Sequence, residues 1–344
     1  MEKHRKTVAA VLMTAAVLGA AVFSLRSGND TKAEKNLFAM DTVMTLTAIG
    51  PQAEAAVEAA AEEIQRLDDM LSTGNESSLV SRVNTEGRGT ASEEMQELLQ
   101  YSGQLYESTG GCFDITIYPV MQLWGFPTGE YHVPEEAELE SARELLGMEE
   151  VRFEDEKKEI VLEKSGMAID FGGIAKGYTS SRVIDIFREH GIKKGIISLG
   201  GNVQTLGTRE DGKRWRIAVK DPEDTEQYIG IVEVSDEAVV TSGGYERYFE
   251  ENGQSYHHII DPGTGFPADS GLSSVTIVSS DGTLADGLST ALFIMGFQKA
   301  EEYWKAYSAQ FEMILVREDG TLAVTEGIED RFSSEREYTV IRLS

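Results

Sequence analysis

Met167-Ala168-Ile169-Asp170-Phe171-Gly172-Gly173-Ile174-Ala175-Lys176-Gly177-Tyr178 reads as a short apolar strand, a glycine turn and the opening of a helix. The helical pattern continues to His190 and stops at Gly191, and a second buried strand follows at Ile196–Leu199, ending in Gly200-Gly201-Asn202. A doubly wound fold would return to another helix here. Instead, Trp215 to Ile260 is mostly strands in hairpins. Leu272–Val278 is then a strand, Thr283–Met295 a helix ended by Gly296, 297–307 a further helix, and 311–343 strands again. Upstream, Leu37–Ile49 alternates as a strand, and Gly50-Pro51 opens a helix with Val57, Ala60, Ile64, Leu67 and Leu71 on its inner side. A helix from Thr90 or Ser92 to Gly110-Gly111, one from about Pro134 to Leu146, and a hairpin of Val151–Phe153 with Ile160–Leu162 complete the pattern. Helices and strands come in blocks, which predicts an α+β fold: two intimately packed lobes with mixed or antiparallel sheets flanked by helices.

The 344 residues exceed one ordinary core, and a 41% apolar fraction is enough to bury a large one. The formal charge is −28, and residues 1–26 hold four cations against one acid, so the remainder is three charges more negative still. Such a surface repels nucleic acid, and no nucleic-acid partner is expected. An anionic ligand would need helix N-termini or a bound cation to reverse the field locally.

Lys3, Arg5 and Lys6 precede an uncharged run from Thr7 to Leu25. Residues 1–26 therefore read as a signal peptide or an N-terminal membrane anchor, with 27–36 as a polar linker and 37–344 as the body. The expected location is exported, at the extracytoplasmic face of the cell envelope. Cys112 is the only cysteine, so no intramolecular disulfide can form.

Asp286 and Thr290 stand four apart on a predicted helix and share a face, offering a carboxylate and a hydroxyl suited to Mg²⁺ rather than zinc. An Asp in a first helical turn also serves the helix dipole, so spacing alone leaves a structural role open. The Asp170–Gly177 turn aims backbone N–H groups at an anion, but is neither a Walker nor a dinucleotide fingerprint. Thr241-Ser242-Gly243-Gly244-Tyr245 reads as a similar turn between strands. His258 stands three residues before Asp261-Pro262, and if the run is a strand only one of His257 and His258 can enter a site there.

In order, these segments resemble the ApbE-like flavin transferases, FAD:protein FMN transferases, from about Met40 to Gly296. The resemblance is carried by Ala39-Met40-Asp41-Thr42, Leu71-Ser72-Thr73 with Ser78 and Asn84, and Phe113-Asp114-Ile115-Thr116 through Phe126. It continues through Asp170–Tyr178, Leu199–Asn202, Thr241–Gly243, His258–Gly265 and Asp286–Thr290. It implies FAD as substrate and Mg²⁺ held by Asp286, Thr290 and the Ala175 carbonyl. It further implies a flavin and nucleotide pocket lined by Met40, Cys112, Phe113, Asp114, Asp170, Gly172, Lys176 and Ile259, with His258 near the diphosphate. Where the family has a flavin-stacking aromatic this chain has Gly74, so the stacking face would be weaker or supplied by Phe113 or a nearby loop.

The implied chemistry is transfer of FMN from FAD to a Ser or Thr hydroxyl of an exported acceptor protein, with release of AMP. His258 and Asp286 would be the catalytic residues, with Asp261 or Asp114 as alternative bases. The family's acceptors end in an S/T-G-A-S/T segment, which this chain lacks, so the acceptor would be another protein. Three rivals remain: an FAD pyrophosphatase giving FMN and AMP, an envelope protein that only binds FAD, and an anchored structural or interaction protein that takes up no flavin.

Overall fold

The computed structural model describes residues 23–27 and 30–344. Most of the expected signal peptide or anchor, residues 1–22, lies outside the described residues. Among the described residues no helix is long and apolar enough to cross a membrane.

A ten-stranded sheet holds the molecule together, and its strands lie in chain order. They are β1 (Phe23–Ser27), β2 (Asp30–Ala39), β3 (Thr42–Gly50), β4 (Lys194–Leu199), β5 (Asn202–Leu206), β6 (Ala238–Gly243), β7 (Leu272–Ser279), β8 (Glu312–Arg317), β9 (Leu322–Thr325) and β10 (Tyr338–Ile341). Neighbours are antiparallel except β9 and β10. The helices are α1 (Ala53–Leu71), α2 (Leu79–Glu86), α3 (Glu93–Ser108), α4 (Tyr118–Leu123), α5 (Glu136–Arg143), α6 (Ala175–Glu189) and α7 (Gly282–Tyr307). The α+β expectation holds, and one continuous sheet joins the two halves.

One face of the first half is covered by α1 and α6, and the same face of the second half by α7. On α1 the residues at helical spacing, Val57, Ala60, Ile64, Leu67 and Leu71, are all buried. Each large aliphatic among them contributes about 1.5–3 kcal/mol by leaving water. Behind the second half, Trp215–Lys220, Tyr228–Val234 and Phe332–Ser333 form a small sheet over Val239, Val278, Ile314 and Val316. A satellite cluster around Trp124, Phe126 and Ile260 packs α4 and α5 under the hairpin Tyr248–Glu251/Gln254–His257.

The sequence pattern misses four local features. The single strand expected over 37–49 is a hairpin, turned at Met40 and Asp41 with φ of 49° and 60°. Two successive left-handed residues make the tight turn that matches strand twist, and without a glycine there the turn leaves little trace in the sequence. From Asp30 onward the expected linker is strand β2. Thr241–Gly243 belongs to β6 rather than to a turn. The short helices α2 and α4 carry too few turns to show periodicity.

Met167–Phe171 is the most instructive difference, because these residues join no sheet. A side chain takes the place of the neighbouring strand: Asn84 Nδ2 donates to the Ile169 carbonyl at 2.8 Å, and the Ile169 N–H donates to Asn84 Oδ1 at 2.8 Å. The Asp170 N–H then donates to the Ile115 carbonyl at 2.8 Å. Since Ile169 is fully buried, Asn84→Ala leaves two backbone groups unpaired. Urea unfolding should show a loss of about 2–3 kcal/mol; an unchanged midpoint would mean that the segment is held by packing alone.

Candidate active site

The site forms where the N-terminal turn of α6 meets α7. A side chain on Gly177 would fall 2.1 Å from the Gly282 carbonyl and 2.6 Å from Asp286 Cβ, so only glycine lets the two helices approach this closely. The Gly177 N–H therefore reaches Asp286 and donates to its Oδ2 at 2.7 Å. Asp286 is 4% exposed, and a buried carboxylate needs such a partner. It finds one at the positive end of a helix, where unpaired N–H groups favour an anion. The N-cap of α7, Asp281, accepts from the Thr283 and Leu284 N–H groups, and fixes where that helix begins.

One turn further along α7, Thr290 Oγ1 lies 3.3 Å from Ser242 Oγ, which lies 2.7 Å from Ser289 Oγ. Ser289 donates its one proton to the Asp286 carbonyl at 2.8 Å. Ser242 therefore donates to Ser289 and accepts from Thr290, which leaves a Thr290 lone pair for something else. A side chain on Gly173 would meet the Phe113 ring at 3.2 Å and the Thr290 hydroxyl at 4.0 Å. Gly173 thus faces Thr290 while Gly177 faces Asp286, with Ala175 between them. Among the described residues no group of three or more His, Cys, Asp or Glu side chains is placed to hold a metal ion. The donors at this corner are one carboxylate, one hydroxyl and nearby backbone carbonyls, an all-oxygen set that fits a hard cation such as Mg²⁺ and suits zinc poorly.

The two adjacent histidines have different jobs. His257 uses both nitrogens: Nδ1 accepts from the Ile259 N–H at 3.3 Å, and Nε2 donates to the Ala268 carbonyl at 3.2 Å. Its ring meets Phe293 edge-on at 5.5 Å, so it is a packed structural residue. His258 Nδ1 lies 3.1 Å from the Arg247 carbonyl. A carbonyl can only accept, so Nδ1 carries the proton and Nε2 keeps a free lone pair. Arg247 is itself anchored through its guanidinium to the Phe126 carbonyl. Burial pushes His258 down to about 4, with Lys176 and Arg247 adding to the effect against the Arg247 carbonyl. The ring is neutral at pH 7 and able to take a proton.

The other expected bases are engaged locally. Asp261 Oδ1 accepts from the Gly263 N–H at 2.8 Å, and its carbonyl accepts from Gly265 at 2.8 Å, as in an ordinary turn. Asp114 caps a short 3₁₀ turn, accepting from the Thr116 N–H at 2.8 Å and hydroxyl at 2.6 Å, and burial raises it above the usual carboxylate range. Asp170 accepts from the Gly172 N–H at 2.9 Å and is likewise raised by burial, against that bond and the nearby Lys176. Glu246, which Lys176 and Lys220 hold down, is also raised by burial. Lys176 is therefore near enough to Asp170, Glu246 and His258 to bias the charge of all three.

The remaining expected residues are placed as follows. Met40, at the tip of the β2–β3 hairpin, lies against α6, with the Thr179 hydroxyl 3.8 Å from its sulfur. Ile259 is buried and pairs its carbonyl with the Ala268 N–H. Cys112 is half-buried, and burial and Asp261 push its thiol up against the opposing pull of Lys299, so it is not an activated thiol. Phe113 corrects an expectation. At 4% exposure, and wedged against Gly173 and Gly287, it has no open face on which a flavin ring could stack. Gly74 is exposed, with only Ser72 Oγ near its missing side chain. The hydroxyl pair Ser242–Ser289 was not foreseen in the sequence, although Ser289 three residues after Asp286 is a helical neighbour that could have been read.

A wider groove, about 850 Å³, lies between α3, α6 and the start of α7. It is lined by the α7 cap but by none of the expected site residues, and two pairs of its polar groups bond to each other: Tyr178 donates to Glu97 at 2.6 Å and Tyr101 to Asp281 at 2.9 Å.

The ApbE family model matches residues 40–315. An FAD:protein FMN transferase of Klebsiella pneumoniae is 36% identical over 250 residues, 72% of this chain and 77% of that one. Among solved structures, the ApbE protein of Thermotoga maritima superposes with a TM-score of 0.81 at 32% identity, covering 92% of this chain and all of its own. The flavin transferase ApbE of Vibrio cholerae does so with a TM-score of 0.78 at 26% identity, covering 91% of this chain and 99% of its own.

The depressed His258 has a measurable consequence. The unfolded chain takes up its proton near pH 6.5 and the native ring only near 4, so His258 costs stability as pH falls from 6.5 to 4. His258→Gln should flatten the acid limb of the stability profile, and the ring carbons of His258 should titrate well below 6.5 by NMR. A midpoint at 6.5 would show the ring to be solvated rather than held.

Proposed function

This chain belongs to the ApbE family, and from that premise we propose that it is an FAD:protein FMN transferase using the α6–α7 corner as its phosphoryl-transfer site. FAD is the substrate, a Ser or Thr hydroxyl of an acceptor protein is the nucleophile, and AMP leaves. The observation that carries this reading is the pairing of an oxygen-donor corner, Asp286 with Thr290, with a neutral His258 whose Nε2 is free.

In the transfer, the acceptor oxygen bonds to the FMN-side phosphorus and the bond from that phosphorus to the bridging oxygen breaks. AMP carries away that oxygen and its electron pair. The hydroxyl proton passes to Nε2 of His258, which the Arg247 carbonyl holds in the accepting tautomer. The N-terminal N–H groups of α6 and the Lys176 ammonium attract the diphosphate in a protein whose overall charge would repel it. Asp286, Thr290 and the Ala175 carbonyl would hold Mg²⁺, which when bound neutralises diphosphate charge. Ser242 orients Thr290 for that task.

The acceptor we propose is a separate exported protein bearing an S/T-G-A-S/T segment, since the chain has none of its own. The basic and apolar start of the sequence supports work at the outer face of the cytoplasmic membrane, anchored or after cleavage.

The test incubates the protein with FAD, Mg²⁺ and an acceptor fragment bearing that segment, and reads the fragment by intact-mass spectrometry. A mass gain of one FMN, equal release of AMP and loss of both on chelation are expected. Asp286→Asn should reduce transfer to background, and His258→Gln should lower turnover about 10²–10⁴-fold while FAD affinity changes little. Free FMN and AMP beside an unmodified fragment would instead assign a hydrolase.

A further inference from the structure

Asn202 is 3% exposed, and its amide Nδ2 has no hydrogen-bond partner. Buried amides are nearly always paired, so an orphan donor points to a partner that arrives from outside. Asn202 is the first residue of β5, directly after the tight Gly200-Gly201 turn, where both φ angles are positive. Strand alternation puts it on the same face as Gln204. That face lies under the helices: Gln204 Oε1 accepts from Ser180 of α6 at 2.5 Å, and a side chain on Gly282 of α7 would meet the same oxygen.

The register locates Asn202 along the helices. Gln204 pairs with Ala238 and Val203 with Val239, so Asn202 stands level with Val240. Two residues on, on the same face of β6, Ser242 reaches Ser289 and Thr290. On α6, Gly177 lies one turn before Ser180, and on α7, Asp286 lies one turn after Gly282. Stepping from Gln204 to Asn202 therefore moves from the Ser180–Gly282 level to the Gly177–Asp286 level. Asn202 therefore lies under the helices at the level of the corner that holds the proposed metal ligands.

We propose that Asn202 is a binding residue for the phosphate end of the nucleotide, its Nδ2 donating to an anionic phosphate oxygen. This rests on the flavin-transfer reading. The chemistry favours a phosphate because the amide nitrogen only donates and is no ligand for a hard cation. Asp286 already draws on the Gly177 N–H, so the orphan donor is left for the ligand's oxygens. Without ligand, the buried amide is a cost that binding offsets.

The test compares the full-length protein with Asn202→Leu and Asn202→Asp, reading melting temperature without ligand and Kd for FAD and for ADP in Mg²⁺. Leucine fills a similar volume without a polar group, so the ligand-free melting temperature should hold or rise. Affinity for both FAD and ADP should fall about tenfold to a hundredfold, as for a lost hydrogen bond to a charged group. Asn202→Asp, which sets a carboxylate against the phosphate, should weaken both further. A lowered ligand-free melting temperature with unchanged affinities would make Asn202 structural and overturn the assignment. Full affinity in Asn202→Leu would do the same. Should the unsubstituted protein bind neither FAD nor ADP, the flavin reading itself fails and the assignment with it.

Discussion

A backbone N–H at Gly177 donating to a carboxylate 109 residues later in the chain is the contact on which the site depends. It exists because two helices meet with no side chain between them at Gly177 and Gly282. The same approach brings Thr290 to Gly173, and Ser242 then ties that turn of α7 to the central sheet. The fold achieves this without burying an unpaired charge, because Asp286 meets α6 at its positive end. Separating the helices by the radius of a methyl group would orphan the carboxylate and displace both hydroxyls together.

Phosphoryl transfer asks a protein for positioning and charge more than for covalent chemistry. The backbone supplies both here. Gly177 N–H fixes one oxygen of Asp286, the Asp286 carbonyl fixes Ser289, and the Arg247 carbonyl fixes the tautomer of His258. In each case the backbone contact uses one bonding position of a side chain and leaves a defined lone pair free. His257 is the contrast. It has similar access to backbone partners, but both nitrogens are consumed, so it cannot exchange a proton without breaking structure.

Much of this was legible in the sequence wherever a period repeats. The apolar stripe of α1, the caps of α3 and α6, and the break of α7 at Gly296, with φ 78°, all appear where spacing and glycine place them. Asp286 and Thr290 were legible as a pair because i and i+4 share a helical face. What stayed hidden depends on contacts distant in sequence. Met167–Phe171 reads as a strand because its composition suits one, yet its partner is the side chain of Asn84. Phe113 is one of the groups the resemblance offers for flavin stacking, and only its burial beside Gly173 and Gly287 shows that it has no open face. Ser242 carries no local signal, since its meaning comes from a helix that returns to it 47 residues later.

The charge balance makes the local field at the cleft matter more than the global one. A chain at −28 repels a diphosphate at long range, so attraction must come from groups within about one Debye length, roughly 8–10 Å at physiological salt. Lys176 and the first turn of α6 would supply that attraction in the proposed reaction, and Lys176 also helps to keep His258 from charging. The two effects are coupled. A ligand that brings phosphate oxygens to Lys176 would offset one of the charges that hold His258 down, while burial, the larger cause, remains. At about 4, the ring is neutral across the physiological range. The lysine proposed to draw the diphosphate in thus also acts on the proposed base, through space and in the same direction as burial.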